Sequence, residues 1–166
     1  MAAESLQDAL VEELRDLLHA EKQLTKALPR LAKAAESEEL ASAFESHLEE
    51  TQTHVERLER ALESLGESVR AKACDGMKGI VEEGGELIKE YDAGALRDAM
   101  LIEAAQKAEH YEIATYGTVV TWAKNLGLQQ IAGPLFETLK EEKAADEKLT
   151  QIAGTINAQA EIPTPA

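Results

Sequence analysis

Apolar residues recur at alternating spacings of three and four along four long stretches of this chain, the mark of amphipathic helices that bury one face. Leu10, Leu14, Leu17, Leu24, Leu28 and Leu31 predict a first helix over about 5–35, with Pro29 kinking or restarting it near its end. Leu40, Phe44, Leu58, Ala61 and Leu65 predict a second over 38–65, capped by Ser37 and stopped by Gly66. Ile102, Ala105, Tyr116, Val119, Ala123 and Leu126 predict a third over 95–126, and Leu128, Ile131, Leu135, Leu149 and Ile152 a fourth over 128–156. Between the pairs, Met77, Ile80, Val81, Leu87, Ile88 and Tyr91 keep helical spacing and predict a short crossover helix over 75–91. Gly76, Gly79, Gly84 and Gly85 on it would let its backbone approach the other helices closely, at a cost of roughly 1 kcal/mol each relative to alanine.

Two antiparallel helical hairpins joined by one long connection give the expected fold class: an all-α, ferritin-like four-helix bundle whose crossover carries a short fifth helix. Residues 1–156 would form this single domain, and 157–166, with Pro163 and Pro165, a flexible tail.

Each long stripe is broken at mid-length by a residue that does not belong in a core. Glu21 stands where the first stripe requires a leucine, and the second passes through His47, Thr51 and His54 with Glu50 beside them. The third contains Glu109 and Glu112, and the fourth Thr138 and Glu142, with Asp146 one turn further on. A second stripe on the third helix, Ala99, Glu103, Gln106, His110, Ile113, Gly117 and Val120, competes with the first, which is preferred because it is apolar away from its acids. Residues equally distant from a hairpin turn lie level on antiparallel helices. The midpoint of Glu21 and Glu50 falls at 35.5, next to the turn at Glu36–Ser37, and that of Glu112 and Glu142 on Gly127, so these carboxylates can share one layer.

Composition narrows what such a layer is for. With 32 acidic and 17 basic residues the formal charge is −15, which makes phosphate backbones and anionic membranes poor partners. A single cysteine, Cys74, excludes an internal disulfide, a zinc ribbon and a fused Cys-x-x-Cys iron site. With no basic leader and no membrane-length apolar run, the expected compartment is the cytoplasm. Several carboxylates in a helical core repel one another and forfeit hydration at several kcal/mol per ion, so something cationic must compensate. Lys22, Arg57, Lys107 and Lys143 lie off the stripes, which leaves divalent metal as the economical counterion. Carboxylate with imidazole suits iron or manganese, and a glutamate-bridged metal pair is a known solution in bundle cores. His54 is then a ligand or a supporting residue, and His47 a ligand or a core histidine bonded to a carboxylate. Tyr116 divides between packing and service as a hydrogen-bond donor or oxidisable neighbour. A metal-free helical binding or structural protein with a polar core is the rival reading.

Four segments carry a family resemblance: Asp16-Leu17-Leu18-His19-Ala20-Glu21, His47-Leu48-Glu49-Glu50-Thr51, Glu109-His110-Tyr111-Glu112 followed by Tyr116, and Glu141-Glu142-Lys143-Ala144-Ala145-Asp146. In this order they resemble the YciE/YciF family of ferritin-like bacterial stress proteins over nearly the whole chain. The resemblance implies a dimeric four-helix bundle with a dinuclear metal site at Glu21, Glu50, Glu109, Glu112, Glu142 and Asp146, to which the stripe adds His54. Rubrerythrin-type sites use Glu-x-x-His on the second and fourth helices. Here Thr53 follows Glu50 and Ala145 follows Glu142 at that spacing, while His54 and Asp146 sit one residue later on the same face. Two irons per chain, or manganese, would serve redox chemistry with O2 or H2O2 as ferroxidase, peroxidase or catalase. Alanines on several sides of the third helix, Ala99, Ala104, Ala108 and Ala114, exceed what a short crossover covers and point to a twofold homodimer.

Overall fold

The computed structural model describes residues 3–161. It contains five helices: α1 Leu6–Ala34, α2 Glu38–Ser64, α3 Asp75–Glu90, α4 Ala95–Asn125 and α5 Gln129–Ala160. α1 packs on α2 and α4 on α5 as two hairpins, which associate through α2 with α5 and α1 with α4, while α3 lies against α1 and α4. The result is a ferritin-like four-helix bundle with the crossover helix on one side.

Local chemistry sets the helix ends. Ser5 accepts a hydrogen bond from the Asp8 amide at 3.1 Å, and the Asp8 carboxylate accepts from the Ser5 hydroxyl at 2.7 Å and the Glu4 amide at 3.3 Å, a reciprocal cap on α1. Ser37 caps α2 through the Leu40 amide. Gly66 and Gly127 take φ of 73° and 74°, and each lets the chain fold back onto the last turn of the helix before it. Glu67 N then reaches Leu62 O at 3.0 Å, and Leu128 N reaches Ala123 O at 2.9 Å. Pro29 lies within the unbroken span of α1. α5 runs four residues past the expected end at Ile156, because Ile156 itself is buried in the core and no breaker precedes Pro163. Of the expected tail, 157–160 is therefore helical, and 162–166 lies outside the described residues.

Three of the four crossover glycines, Gly76, Gly84 and Gly85, sit close to α4 or α1 as expected, while Gly79 faces open space. Beyond Gly66 the chain returns along α1, with Lys72 N bonded to Arg15 O at 3.0 Å, before α3 begins at its Cys74 cap. A Cβ on Gly76 would sit 2.9 Å from Tyr111 Cε2, and one on Gly84 3.5 Å from Ala104 Cβ, so α3 rides directly on α4. This buries Ala104 and Ala108, whereas Ala114 is exposed.

At the opposite side of the α1–α2 turn, Asp98 in the first turn of α4 is buried and accepts from the Glu36 and Ser37 amides at 2.9 and 2.8 Å. Arg97 donates to Ala34 O alongside. One carboxylate thus satisfies two orphan amides of the turn and ties the first hairpin to the second.

The core is divided. One half packs Leu10, Leu14, Leu17, Leu58, Leu62, Val119 and Leu135, and the other Leu24, Leu28, Leu40, Phe44, Leu101, Ile102 and Leu149. Each fully buried leucine contributes about 1.5–3 kcal/mol. A polar layer lies between the halves.

Candidate metal centre

That layer takes Glu21 from α1, His47, Thr51 and His54 from α2, Glu109 and Glu112 from α4, and Thr138 and Glu142 from α5, all buried. His47, Thr51 and His54 follow the spacing of four and three that keeps a helix face toward the core, as do Glu109, Glu112 and Tyr116 on α4. The competing stripe of α4, with Glu103 and His110, faces outward.

The donor atoms form two overlapping groups. His47, Glu109, Glu112 and Glu142 each offer a ligand atom within 4.8 Å of the others, and so do Glu21, His54 and Glu142. Glu142 belongs to both. His47 Nε2 lies 3.1 Å from Glu109 Oε1 and 3.5 Å from Glu142 Oε2, and His54 Nδ1 lies 2.9 Å from Glu142 Oε1 and 3.5 Å from Glu21 Oε1. These approaches are not aligned as hydrogen bonds. Glu21 Oε2, His47 Nε2, His54 Nδ1, Glu109 Oε2 and both carboxylate oxygens of Glu112 and Glu142 are buried without a hydrogen-bond partner. Buried polar atoms are normally paired, and each orphan costs about 1–3 kcal/mol. Buried donor atoms gathered within 4.8 Å of one another and left without hydrogen-bond partners are what a cation site offers, so the residues present fit metal in two adjoining positions.

Each imidazole is turned by an outer carboxylate. His47 Nδ1 contacts Glu50 Oε2 at 3.2 Å, and His54 Nε2 contacts Glu141 Oε2 at 2.9 Å. Arg57 grips Glu141 with both terminal nitrogens, Nη2 lying 3.1 Å from Oε1, and also donates to Thr138 Oγ1 at 3.0 Å. A carboxylate holding one ring N–H leaves the other nitrogen with a lone pair for a metal. The Tyr116 hydroxyl donates to Glu21 Oε1 and so fixes that carboxylate from the far side.

Without a cation the layer holds protons. Burial raises Glu112 well above the ordinary carboxylate range, and the nearby Glu142, Glu21 and Glu109 raise it further. Burial likewise lifts Glu142 to about 7 and raises Glu21, both against the opposing pull of His54. Burial opposes protonation of His54, but Glu142 and Glu21 outweigh it and raise its pKa to about 10. Glu109 and Glu50 overcome burial in the same way at His47. Among the described residues the only lysine or arginine bonded to the layer is Arg57, through Thr138 and Glu141. Four carboxylates and two neutral imidazoles are balanced in charge by two divalent cations.

The structure brings Glu21, His54, Glu109, Glu112 and Glu142 together and leaves Glu50 and Asp146 outside. Glu50 has the right height but the wrong azimuth. Three residues past His47 it turns to the flank of α2, where its side chain is 43% exposed, and His47 takes the position expected of it. Asp146, four residues past Glu142, rotates toward the outer edge of α4 and pairs with His110 Nε2 and Gln106 Nε2, both at 3.1 Å. Sequence reading did not assign Glu141 and Arg57 to the site. Their signal was adjacency: Glu141 precedes Glu142, and Arg57 follows His54 by three on the same edge of α2.

Comparison with known proteins agrees with the resemblance. Residues 5–161 match the family described as a domain of unknown function, DUF892. Protein YciF of Escherichia coli is 45% identical over 163 residues, covering 97% of this chain and 98% of the relative. The crystal structure of that E. coli stress protein superposes with a TM-score of 0.91 at 44% identity, covering 95% of this chain and 99% of the other. YcfI of Rhodopseudomonas palustris follows at 0.86 and 40% identity, covering 89% of this chain and 94% of its own. A protein of Xanthomonas campestris shares the fold at a TM-score of 0.75, with 24% identity over 93% of this chain and 94% of its own. The chain belongs to the DUF892 family, that of YciF.

Proposed function

We propose that this member of the DUF892 family holds two iron ions, or two manganese ions, in its central layer and uses them in redox chemistry with O2 or H2O2 during stress defence in the cytoplasm. The observation that carries this reading is the set of eight buried, unpartnered donor atoms on six side chains that converge in two groups sharing Glu142. His47 and Glu109 would hold one ion, Glu21 and His54 the other, with Glu142 between them and Glu112 beside it. Bound ions of this kind supply paired one-electron oxidation changes, which match the electron pair that H2O2 accepts.

The chain's own residues prepare the ligands. Glu50 and Glu141 orient the imidazoles, and Arg57 keeps Glu141 ionised, its carboxyl lying below the ordinary range although burial pulls the other way. Tyr116, buried beside Glu21, keeps its proton, since burial raises its pKa, and donates a hydrogen bond to that carboxylate. Two apolar half-cores exclude water from both sides of the layer. Among the described residues no helix is long and apolar enough to cross a membrane.

Metal content tests the reading. Protein produced with added iron or manganese and freed of loosely bound ions is expected to carry about two equivalents per chain by elemental analysis. A folded, metal-free protein that takes up neither ion would overturn it in favour of a structural polar core. The partner we propose is a second copy of the chain, because α3 covers Ala104 and Ala108 but not Ala114. Light scattering at micromolar concentration is expected to give twice the mass of 18.0 kDa, and a strictly monomeric mass refutes the dimer.

A further inference from the structure

We propose that the two metal positions differ in access: the His47 position opens to solvent through a cleft between α2 and α5, and the His54 position fills and empties only through its neighbour. The inference rests on the two-ion reading and assigns the route by which the centre is loaded.

The cleft is a cavity of about 350 Å³ whose inner end is formed by His47 and Glu109 and whose threshold carries Glu50. Phe44 and Ala43 wall it from α2, and Ala145 and Leu149 from α5. One of its walls is the small side chain of Ala145. Ala145 stands three residues past Glu142, where a Glu-x-x-His helix would place an imidazole across this gap. Glu50 is positioned to receive a hydrated cation from solvent: it is half-exposed, acidic, and already in contact with His47 Nδ1. A second cavity, of about 30 Å³, lies under α3 and also touches His47 and Glu109, but its other walls are aliphatic and it has room for about one water. Both openings therefore lead to the same position.

The His54 side is closed except at the α2–α5 seam, where Glu141, 2.9 Å from His54 Nε2, is one-third exposed. Glu21, His54, Glu112, Tyr116 and Thr138 have no exposed surface. Arg57, bonded to both Glu141 and Thr138, bars the α2–α5 seam above His54. Tyr116 closes over Glu21, and the half-core containing Leu17, Leu58 and Leu135 lies beyond. With the seam barred by Arg57, the polar path outward for an ion bound to Glu21 and His54 runs along the shared Glu142 to His47 and Glu109.

Cobalt(II) alone serves as probe, since its visible absorption reports each coordinated ion. Protein loaded with cobalt is mixed with excess EDTA and followed by absorbance, with elemental analysis at the plateau between phases. The expected result is two phases of one ion each, well separated in rate. Ala145→Leu narrows the cleft and is expected to slow both uptake and release while stoichiometry is kept. Ser46→Leu, on the exposed lip, does the same without touching the core. Arg57→Ala both unbars the seam and loosens Glu141 behind His54, so it is expected to speed the slow phase about tenfold or more, and the cleft variants, which touch no ligand, carry the test of access. Two ions leaving in a single phase, or cleft substitutions without effect on either rate, overturn the proposal while sparing the two-ion reading. Absence of cobalt binding overturns both.

Discussion

Glu142→Gln is expected to strip the bundle of both ions at once, whereas Glu50→Gln and Asp146→Asn keep both. Glu142 is the one residue in both donor groups, and its two oxygens approach His47 on one side and His54 on the other. An amide in its place offers one weak oxygen donor and no charge, so affinity at each position should fall by at least about a hundredfold. The protein should nevertheless fold, because both apolar half-cores are untouched. Glu112→Gln gives the complementary result. Its carboxyl is pushed upward by burial and three neighbouring acids, so in the metal-free protein it resembles the neutral amide that replaces it. Removing a group whose ionisation opposes folding should raise the melting temperature of the metal-free protein at pH 8 while abolishing metal binding. Elemental analysis and thermal melts of the variants decide the matter. If Glu142→Gln retains one tightly bound ion, Glu142 is not shared.

The second large effect is a pair of opposite pH responses. In the metal-free protein Glu142 titrates near 7 instead of 4.5, so the folded state keeps a proton that the unfolded chain releases, and this contribution to stability falls as pH rises from about 4.5 through 7. His54 has a folded pKa of about 10 against 6.5, so its contribution is complete below 6.5 and is lost as pH rises toward 10. Glu21, Glu112 and His47 shift in the same direction. The metal-free protein should therefore melt lower at pH 9 than at pH 6. Metal must displace these protons, so its affinity rises with pH and the manganese-loaded protein should hold or gain stability over the same range. The gap between the two melting temperatures widens upward in pH. Melting temperatures of the metal-free protein that climb from pH 6 to 9 would show that the layer carries no such protons.

Heights were readable in the sequence and azimuths were not. Distance from a turn depends only on counting residues at a constant rise, which is why Glu21, Glu109, Glu112 and Glu142 fall in one layer. Which of two acids or imidazoles one turn apart points inward depends on the rotation of the helix about its axis, and that is set by packing. His47 and Glu50 exchanged their expected roles for this reason, and Asp146 went to His110. Local signals located the ends of α1, α2 and α4, since Ser5, Ser37, Gly66 and Gly127 act within a few bonds of themselves. The end of α5 was missed because Ile156 is held by tertiary contact beyond the last clear stripe residue. Asp98 and the Arg57–Glu141 pair were illegible for a further reason. Their partners lie in the α1–α2 turn or on another helix, 61 or more residues away, and an exposed-looking charge gives no sign of them.

The Asp98 clasp frees the crossover from serving as a ruler. Glu36 and Ser37 are held against the first turn of α4 by a single side chain, so the relative height of the two hairpins is set at that end of the bundle. The path from Gly66 to Ala71 need only be long enough to arrive at α3. Closure entropy grows with the logarithm of length, so that doubling a loop costs only about 0.6 kcal/mol. Residues inserted after Ser68, beside the exposed Val69, would lengthen an irregular surface segment and leave the four glutamates level. In chains built on this plan, length variation should concentrate in the crossover, and the spacing between Asp98 and Glu109 should be held constant.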